Sequence, residues 1–592
     1  MKAGNVNFTT NAGDVNVNAP VTTKWMVLAA GRDVQINGAA NTQSNIHITA
    51  GRDAVSTGAL DVAEGAMTIT AGRDATLAKL STAHPNDYSS DVRVTAKNTV
   101  TLNGEVTGGR LWATATEGDV VIKAPVTVDM RVGATAGRDV ISTADLTATD
   151  GSIEIIAGRD ATLARLAASP GVSSVNVNAG NDVTLNGTAD AWFVIIDAKN
   201  NATLNDDVTG GERVHASAAE GDLVVNGDVT ANGTFVELLA GRDAEINGNI
   251  NATNGLYGKA TITAKNNATI NGTIKAGGVA ATATEGDLLI AGAVTSTRNI
   301  YDDATTFTAG RDVKIDGSVT SAGWKNATII TAGRDIIATA DIANADESIT
   351  ATAGRDASFA KLTAENGDLT VTAKNNAALN GAVSANAVAI TATEGDLVVK
   401  GAVEGSNVAI EATAGNVKAT SDIAATVTDV KIKAGRDAEL AKLTANGLGV
   451  VDVVAKNNAT LNGEASATMV SVNAQEGDVV ANEAITATHT LELRAGRDAT
   501  VNGPLEASVA IVEAKNNAAI NGAVSANAVA ITATEGDLVV KGAVAANDGS
   551  GKFVAGQDVK IVKDGNVSAK GDLTVEAGRD ITSESDIAST EG

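Results

Sequence analysis

The sequence contains no cysteine and few of the large residues that fill wide globular cores. Its 592 residues include 5 prolines, and aromatic side chains make up 2% of the chain. Without cysteine, the chain can form neither a disulfide framework nor a thiolate metal site. Ala, Val, Ile and Leu dominate its apolar residues, and these small side chains suit a narrow core better than a broad one. The composition therefore favours an elongated repeat array over several globular domains.

Positive charge and long apolar runs are also scarce. The chain has 44 Lys and Arg against 70 Asp and Glu, a formal net charge of −26, which would repel nucleic acids and anionic membrane surfaces. No stretch approaches the roughly 18 apolar residues of a membrane span. The start, MKAGNVNFTT, lacks the apolar core of a signal peptide. We expect a soluble chain with no nucleic-acid partner and no membrane insertion, whose targeting segment, if it is exported, lies outside this sequence.

Short tetrads recur along the whole chain at a fixed period. The tetrad AGRD begins at Ala30, Ala50, Ala71, Ala136, Ala157, Ala240, Ala309, Ala332, Ala353, Ala434, Ala495 and Ala577. The tetrad AKN(N/T) begins at Ala96, Ala198, Ala264, Ala373, Ala455 and Ala514. An EGD follows each AKN tetrad by 21 or 22 residues, with its Glu at Glu117, Glu220, Glu285, Glu394, Glu476 and Glu535. Counting one such turn per unit gives about 28 repeats of roughly 21 residues, a length typical of solenoid coils.

Residues 373–403 return at 514–544 with only Leu379 changed, to Ile520. A pocket is built once from scattered residues, whereas stacked units can repeat because each touches only its neighbours. Within 387–392, AVAITA, apolar and small or polar residues alternate as in a half-buried strand. The segments 377–380 and 381–385 give two more short runs. The sequence thus predicts an all-β fold, a single-stranded parallel β-helix of about 28 coils with three short strands per coil. Residues 1–592 would form one continuous array, a rod on the order of 130 Å at about 4.8 Å per coil.

The tetrads share a turn chemistry. Gly or Asn at a middle position tolerates positive φ, and the Asp or Asn that ends the tetrad can hydrogen-bond the backbone and stack on its counterpart in the next coil. Stacked Asp residues repel one another unless cations lie beside them. We expect Arg242, beside Asp243, and Lys374, one coil away from Glu394, to supply that charge.

No constellation of catalytic, cofactor-binding or metal-binding residues is apparent, so we predict no such site residues and no cofactor. Four histidines have no ligand-like spacing, namely His47, His84, His215 and His489, and two acidic pairs suit coil corners, namely Asp206 with Asp207 and Asp302 with Asp303. Four tryptophans could stack on sugars but are expected to pack at corners; these are Trp25, Trp112, Trp192, with Phe193 beside it, and Trp324. The sequons at Asn201 and Asn458 recur with the turns.

The stretches AGRDATLAKL, AGRDVKIDG and AKNNATLNG resemble the haemagglutinin repeats of the filamentous haemagglutinin family, the long exoproteins of bacterial two-partner secretion. The resemblance covers essentially the whole chain. It implies a right-handed parallel β-helix, export through an outer-membrane pore partner, and a role in adhesion, aggregation or biofilm; some members carry a toxin at the far end of such a shaft. The chain departs from the family pattern because it has neither the amino-terminal secretion domain with its NPNG-type motif nor an effector domain after the array.

Three functions follow as hypotheses. The first is a non-enzymatic, extracellular structural shaft that projects distal groups of a surface adhesin or exoprotein away from the cell. The second is a filament or sheath subunit that stacks end to end on copies of itself. Bare end coils would expose unpaired strands, so we expect either an excerpt of a longer array or such a stacking subunit. The third and least favoured is a β-helix enzyme that acts on polysaccharides, since insertions that could build a cleft are very short.

Overall fold

The computed structural model describes residues 4–83, 90–253, 258–297 and 304–591. These residues form strands and turns and no helix, so none of them forms a helix that could span a membrane. The chain divides into two compact units, Met1–Asp303 and Ala304–Gly592. In both units the strands pair in parallel with strands one coil away, which confirms the predicted β-solenoid.

Each coil contains three strands, here called a, b and c in chain order. The a-strand of five or six residues ends at the first alanine of the tetrad, as in Met26–Ala30. A b-strand of three residues follows, as in Val34–Ile36, and then a c-strand of three residues, as in Ala40–Thr42. The a- and c-strands form a first sheet and the b-strands form a second sheet. The described residues contain fourteen b-strands in each unit, which confirms the predicted 28 coils.

The first sheet in the first unit contains Val6–Thr10, Val21–Thr23, Met26–Ala30, Ala40–Thr42, Ile46–Ala50, Leu60–Val62, Met67–Ala71, Leu80–Thr82, Asp91–Ala96, Val106–Ala115, Val126–Ala136, Leu146–Ala148, Ser152–Ala157, Leu166–Ala168, Ser174–Ala179, Ala189–Ala198, Val208–Ala218, Val229–Ala231, Phe235–Ala240, Ile250–Ala252, Lys259–Ala264, Ile274–Ala276, Gly278–Ala283 and Val294–Ser296. The b-strands are Val15–Val17, Val34–Ile36, Ala54–Ser56, Ala75–Leu77, Val100–Leu102, Val120–Ile122, Val140–Ser142, Ala161–Leu163, Val183–Leu185, Ala202–Leu204, Leu223–Val225, Ala244–Ile246, Ala268–Ile270 and Leu288–Ile290.

The first sheet in the second unit contains Thr305–Ala309, Val319–Ser321, Thr328–Ala332, Ile342–Asn344, Ile349–Ala353, Leu362–Ala364, Leu369–Ala373, Val383–Ala385, Ala387–Ala392, Val403–Gly405, Asn407–Ala412, Ile423–Ala425, Val430–Ala434, Leu443–Ala445, Val450–Ala455, Ala465–Ala474, Ile485–Ala495, Leu505–Ala514, Val524–Ala533, Val544–Ala546, Gly551–Ala555, Val567–Ala569, Leu573–Ala577 and Ile587–Ser589. The b-strands are Val313–Ile315, Ile336–Ala338, Ala357–Phe359, Ala377–Leu379, Leu397–Val399, Val417–Ala419, Ala438–Leu440, Ala459–Leu461, Val479–Ala481, Ala499–Val501, Ala518–Ile520, Leu538–Val540, Val559–Ile561 and Ile581–Ser583.

Alternate residues of each strand point into the coil. In Ala387–Ala392, Val388 and Ile390 are each 1% exposed while Ala389 and Thr391 face outward, as the sequence predicts. The register holds from coil to coil, so that Ile48 pairs with Ile69 and Ile69 with Val94. Apolar side chains therefore stack on apolar side chains along the inside of each unit, and the outward rows are free to vary.

Three separate strands per coil is not the rule everywhere. In several coils the c-strand runs without a break into the next a-strand, giving single strands of ten or eleven residues such as Val208–Ala218. The duplicated segment shows why. In its first copy Asn386 separates the two strands, because Asp368 of the coil before accepts hydrogen bonds from the Asn386 side chain and the Ala387 backbone. In its second copy, Val524–Ala533 is continuous, since the coil before is itself continuous there.

Candidate functional site

The most regular polar feature is the residue directly before each b-strand, here called the ladder position. It is Asp or Asn in every described coil except one, where it is Thr99. The side-chain oxygen at this position accepts a hydrogen bond from the backbone N–H of the ladder residue in the next coil. Thus Asp33 donates to Asp14 over 3.1 Å, and Asn201 donates to Asp182 over 2.9 Å.

The ladder is nearly unbroken within each unit. Among the described residues, every step inside a unit has this bond except the step from Thr99 to Asp119. A backbone N–H at a coil corner has no strand partner of its own, and leaving it unpaired would cost stability. The ladder side chain supplies the missing acceptor, which explains why Asp and Asn recur at this position.

The tetrad arginines neutralise the ladder, but across coils. The predicted close contact of Arg242 with Asp243 beside it is not formed. Instead, Arg242 Nε donates to Asp222 Oδ1 of the preceding coil over 2.7 Å, and Arg242 Nη2 donates to Asp222 Oδ2. The same two-point contact joins nine further pairs: Arg32–Asp14, Arg52–Asp33, Arg73–Asp53, Arg138–Asp119, Arg159–Asp139, Arg334–Asp312, Arg355–Asp335, Arg497–Asp478 and Arg579–Asp558.

Hydrogen bonding to arginine keeps these carboxylates ionised. The Arg52 guanidinium lowers the pKa of Asp33 to about 2, with the Asp53 backbone N–H acting in the same direction and burial opposing it. The pKa values of other arginine-paired ladder residues are lowered for the same first cause; they are Asp14, Asp119, Asp222, Asp312, Asp478 and Asp558. At the coils that have an arginine pair, the corner therefore carries paired charges and not free carboxylates.

Two further predictions about the tetrads have different outcomes. The predicted pairing of Lys374 with Glu394 of the next coil is confirmed at 3.7 Å. The predicted positive φ at the tetrad glycine is wrong, since Gly241 does not adopt one. Glycine is required there because the coils approach closely: a Cβ on Gly241 would lie 2.1 Å from the Ala219 carbonyl oxygen.

A second polar ladder occupies the corner between the b- and c-strands. There the asparagine side chains bond one another directly, each Nδ2 donating to the Oδ1 of the preceding coil over 2.7 to 2.9 Å. The two longest runs are Asn186–Asn205–Asn226–Asn247–Asn271 and Asn462–Asn482–Asn502–Asn521. These amides stabilise coil stacking without any net charge.

His215 is not the isolated residue that the sequence indicates. Its Nδ1 lies 2.9 Å from Glu237 Oε2 and its Nε2 lies 3.2 Å from Asp197 Oδ1, so it bridges carboxylates of the coils on either side. The Asp197 carboxylate, and more weakly Glu237, raise its pKa against the effect of burial. Ser217 donates to Asp197 over 2.5 Å and not to the imidazole, so the cluster does not have the hydroxyl–imidazole contact of an activated nucleophile. It is an ion cluster that joins three coils.

Of the other histidines and acidic pairs, those within the described residues form no cluster. His47 and His489 are exposed, each about 3.3 Å from a threonine hydroxyl. Asp206 and Asp207 occupy a coil corner, where Asp207 accepts the backbone N–H of Asp228 over 2.8 Å. His84 and the pair Asp302 and Asp303 lie outside the described residues. In the part of the chain that the structure describes, no group of three His, Asp or Glu residues could hold a metal ion.

Two of the tryptophans pack against the solenoid wall. The Trp112 ring lies between the guanidinium groups of Arg93 and Arg131, at 5.6 and 4.7 Å from the ring centre. It covers Gly133 of the next coil, where a Cβ would be 2.8 Å from the ring. Trp192 covers a glycine of its next coil, Gly211, in the same way. Glycine in the next coil is thus what allows an indole to lie flat on the sheet.

The other two tryptophans are more open. Trp324 is 69% exposed and has the Lys325 ammonium 4.4 Å from its ring centre. Trp25 is half-buried and lies at the wall of a shallow surface groove of about 500 Å³. Among the described residues, no aromatic ring and no cation lies against Trp25. The groove is lined by Trp25, Met26, Val27, Ser44, Asn45 and His47.

The sequon asparagines at the ladder position have structural roles. Asn201 Nδ2 donates to Asp182 Oδ1 over 3.0 Å and its Oδ1 accepts the Asp222 backbone N–H. Asn458 bonds its neighbours of the preceding and following coils in the same way. A glycan on either residue would be attached to an Nδ2 that donates within the ladder, so the period of the turn explains these sequons.

Sequence reasoning missed a polar cluster inside the second unit. Asn344 is fully buried and its Nδ2 donates to the Asn326 carbonyl over 2.8 Å and to the Thr328 hydroxyl over 3.1 Å. The Thr305 hydroxyl donates to Asn326 Oδ1 over 3.0 Å. Asn and Thr also recur at exposed corners of this chain, so residue type alone gives no signal that these four face inward.

Comparison with models of known protein families, with curated proteins and with solved structures gives no match.

Proposed function

We propose that the chain is a structural shaft of a bacterial surface adhesin or exoprotein, a non-enzymatic extracellular spacer that holds distal groups away from the cell. The single observation that carries the proposal is the ladder at the tetrad corner, whose hydrogen bonds join successive coils along each unit. Together with strand pairing in two sheets, it connects each coil to the next at several points around its circumference. A spacer needs this resistance to shear between coils.

The chemistry of the corner also suits a chain of net charge −26. Stacked carboxylates about 4.8 Å apart would repel one another, and the paired arginines and neutral asparagines relieve that repulsion. The resemblance of the tetrads to filamentous haemagglutinin repeats supports the bacterial surface as the setting. On that basis we propose an outer-membrane secretion pore as the export partner and the cell exterior as the location.

Stiffness along the axis can be measured within the first unit. The native chain has no cysteine, so Thr70→Cys with Thr263→Cys gives one spin-label pair. The two residues share an outward row and are nine pairing steps apart, so their backbones should lie about 43 Å apart at about 4.8 Å per step. Pulsed dipolar spectroscopy should find one narrow distance distribution near this value.

Removal of one coil provides the matched variant. Deleting residues 140–160 joins the ladder residue Asp139 to Ala161, the first residue of the next b-strand, so the order of ladder residue and b-strand is kept. The deletion should shorten the measured distance by about 4.8 Å. Deleting half of that segment breaks the register and should broaden the distribution. A broad distribution in the parent pair, or no shortening after the whole-coil deletion, would contradict a stiff spacer.

Location needs a separate measurement. Antibodies raised against the chain should label intact cells of the bacterium that encodes it, and labelling should be lost when the secretion pore is deleted. Labelling only after lysis would overturn the extracellular assignment. Negative-stain images of the purified chain distinguish the alternative, since a filament or sheath subunit would form end-to-end polymers.

A further inference from the structure

We propose that the groove beside Trp25 is a binding site for a neutral saccharide, one sugar ring of a glycan chain. This site is independent of the shaft function, since a spacer requires no lateral ligand. The groove lies on the outside of the second and third coils of the first unit, where Val27 pairs in register with His47. Its volume of about 500 Å³ lies within the range of about 300–1,000 Å³ typical of small-molecule sites.

The contrast among the tryptophans points to Trp25. Trp112 is covered by two guanidinium groups and Trp192 packs on a glycine and against Phe193, with the two rings 6.3 Å apart. Trp324 carries the Lys325 ammonium on its ring. Among the described residues, Trp25 alone of the four combines a wall position in a groove with a ring that no cation or aromatic group covers. An indole in that position offers an apolar surface for the C–H face of a pyranose.

The polar groups around Trp25 match a ligand rich in hydroxyl groups. His47 and Asn45 are exposed and Ser44 is half-buried, all on the coil next to Trp25. Asn45 Oδ1 accepts the Ala66 backbone N–H over 2.9 Å, which fixes the amide and leaves its Nδ2 to donate outward. His47 Nε2 lies 3.3 Å from the Thr49 hydroxyl, which leaves its Nδ1 to donate or accept, depending on the tautomer. One aromatic wall with a few fixed polar groups is the usual composition of a small-ligand site.

Other occupants fit less well. An anionic ligand would need fixed cations, and the groove lining contains neither Lys nor Arg. An apolar peptide would leave the Ser44 hydroxyl and the Asn45 amide without partners on binding, which costs affinity. Two other grooves of the described residues are lined by paired charges, Asp222 with Arg242 and Glu411 with Lys433, and their linings contain no tryptophan. A third has the carboxylates Glu154 and Asp197 in its lining and no tryptophan. The chemistry therefore favours a neutral sugar at Trp25.

The test uses the full chain and a panel of oligosaccharides ending in glucose, galactose, mannose or N-acetylglucosamine. Saturation-transfer NMR should show transfer to at least one of them. Trp25→Ala should weaken binding at least about tenfold, as expected when an aromatic anchor is removed, whereas Trp25→Tyr should retain most of it. Trp324→Ala is the matched control, because it removes a more exposed tryptophan that lies outside the groove, and should bind as the parent does.

A second variant guards against misfolding of the Trp25→Ala protein. His47 is exposed, so His47→Trp fills the groove without removing a core side chain and should abolish the transfer while the circular dichroism spectrum is unchanged. The proposal is wrong if the parent binds no sugar of the panel at about 10 mM, well above a dissociation constant of about 1 mM, or if Trp25→Ala and His47→Trp both bind as the parent does. Binding that depends on Trp25 for an apolar peptide but for no sugar would also overturn it.

Discussion

Replacing one ladder residue by Asn or by Ala separates the two interactions of the ladder side chain, the hydrogen bond to the backbone N–H and the ion pair with arginine. Asp222 is a suitable position, because its Oδ1 accepts both the Asp243 backbone N–H, over 3.1 Å, and Arg242 Nε, over 2.7 Å. Asp222→Asn keeps an acceptor for the backbone and removes the charge. Asp222→Ala removes both. Asn is already tolerated at this position in the preceding coil, at Asn201.

The expected magnitudes differ because the two interactions differ in exposure. The Arg242 and Asp222 side chains are 54% and 32% exposed, and a pair so open to solvent contributes only about 0.2–1 kcal/mol. The Asp243 N–H lies at a corner under the next coil, and leaving it without an acceptor costs about 1–3 kcal/mol. Asp222→Asn should therefore destabilise this coil slightly, and Asp222→Ala by about 1–3 kcal/mol more, which is roughly 5- to 150-fold in a local opening constant.

The measurement must be local. A repeat array opens coil by coil, so a single melting temperature would average over all coils. Hydrogen–deuterium exchange of a peptide that contains Asp243 reports the N–H in question. Thr99→Ala is the matched control, since the step from Thr99 to Asp119 has no ladder bond to lose, and exchange near Asp119 should hardly change. Equal exchange in the Asn and Ala variants of Asp222, or an equally large effect of Thr99→Ala, would refute the reasoning.

Three further predictions concern pH and close packing. Because the folded-state pKa of Asp33 is lowered to about 2 from an ordinary 3.8, the contribution of Asp33 to stability is present above about pH 4 and lost as the pH falls towards 2. Hydrogen–deuterium exchange near Asp33 should show this loss, and Arg52→Gln should reduce its dependence on acid and salt. An unchanged dependence in Arg52→Gln would count against the pair. Because the pKa of His215 is raised above 6.5, the contribution of His215 to stability is complete below pH 6.5 and is lost as the pH rises through the raised pKa. His215→Gln should remove this alkaline loss of exchange protection in Val208–Ala218. If the loss persists in the variant, another group causes it. A Cβ on Gly51 would lie 2.2 Å from the Gly31 carbonyl oxygen, whereas one on Gly171 meets nothing within 4 Å. In the same exchange assay, Gly51→Ala should destabilise its coil by about 1–3 kcal/mol and Gly171→Ala should not. Similar effects of the two substitutions would mean that the corner relaxes around the added Cβ.

The coil architecture could be predicted because its signals are short in range. Alternation within six residues sets which side chains point inward, as Val388 and Ile390 show, and the tetrad marks where each b-strand begins. The partner of each arginine could not be predicted in the same way. Arg242 is adjacent to Asp243 in sequence, yet its guanidinium reaches Asp222 because side chains at the corner extend along the solenoid axis. Sequence proximity is a poor guide where the nearest neighbour in space is one coil away.

The His215 cluster was missed for a related reason. Asp197 and His215 are 18 residues apart and His215 and Glu237 are 22 apart, so a fixed period does not align them. Counted from the alanine that ends each a-strand, His215 and Glu237 occupy the same position, three residues before it, and Asp197 lies one residue before it. Positions one and three residues before the alanine lie on the same outward face of the strands. Counting back from the tetrad, and not along the average period, would have placed these side chains together.

The duplicated segment shows how constraint is divided around a coil. Its two copies differ at the corner between c- and a-strands, where the neighbouring coil decides whether Asn386 breaks the strand or Asn527 continues it. Their ladder bonds are the same, since Asn376 and Asn517 each accept from the Asp of the following coil. The tetrad corner is therefore fixed by a contact that recurs at nearly every described step, while the outward faces and the third corner can change without loss of stacking. A groove such as the one beside Trp25 can arise on a single pair of coils for that reason, and a solenoid that serves as a spacer can carry a binding site on its side at little cost to its stability.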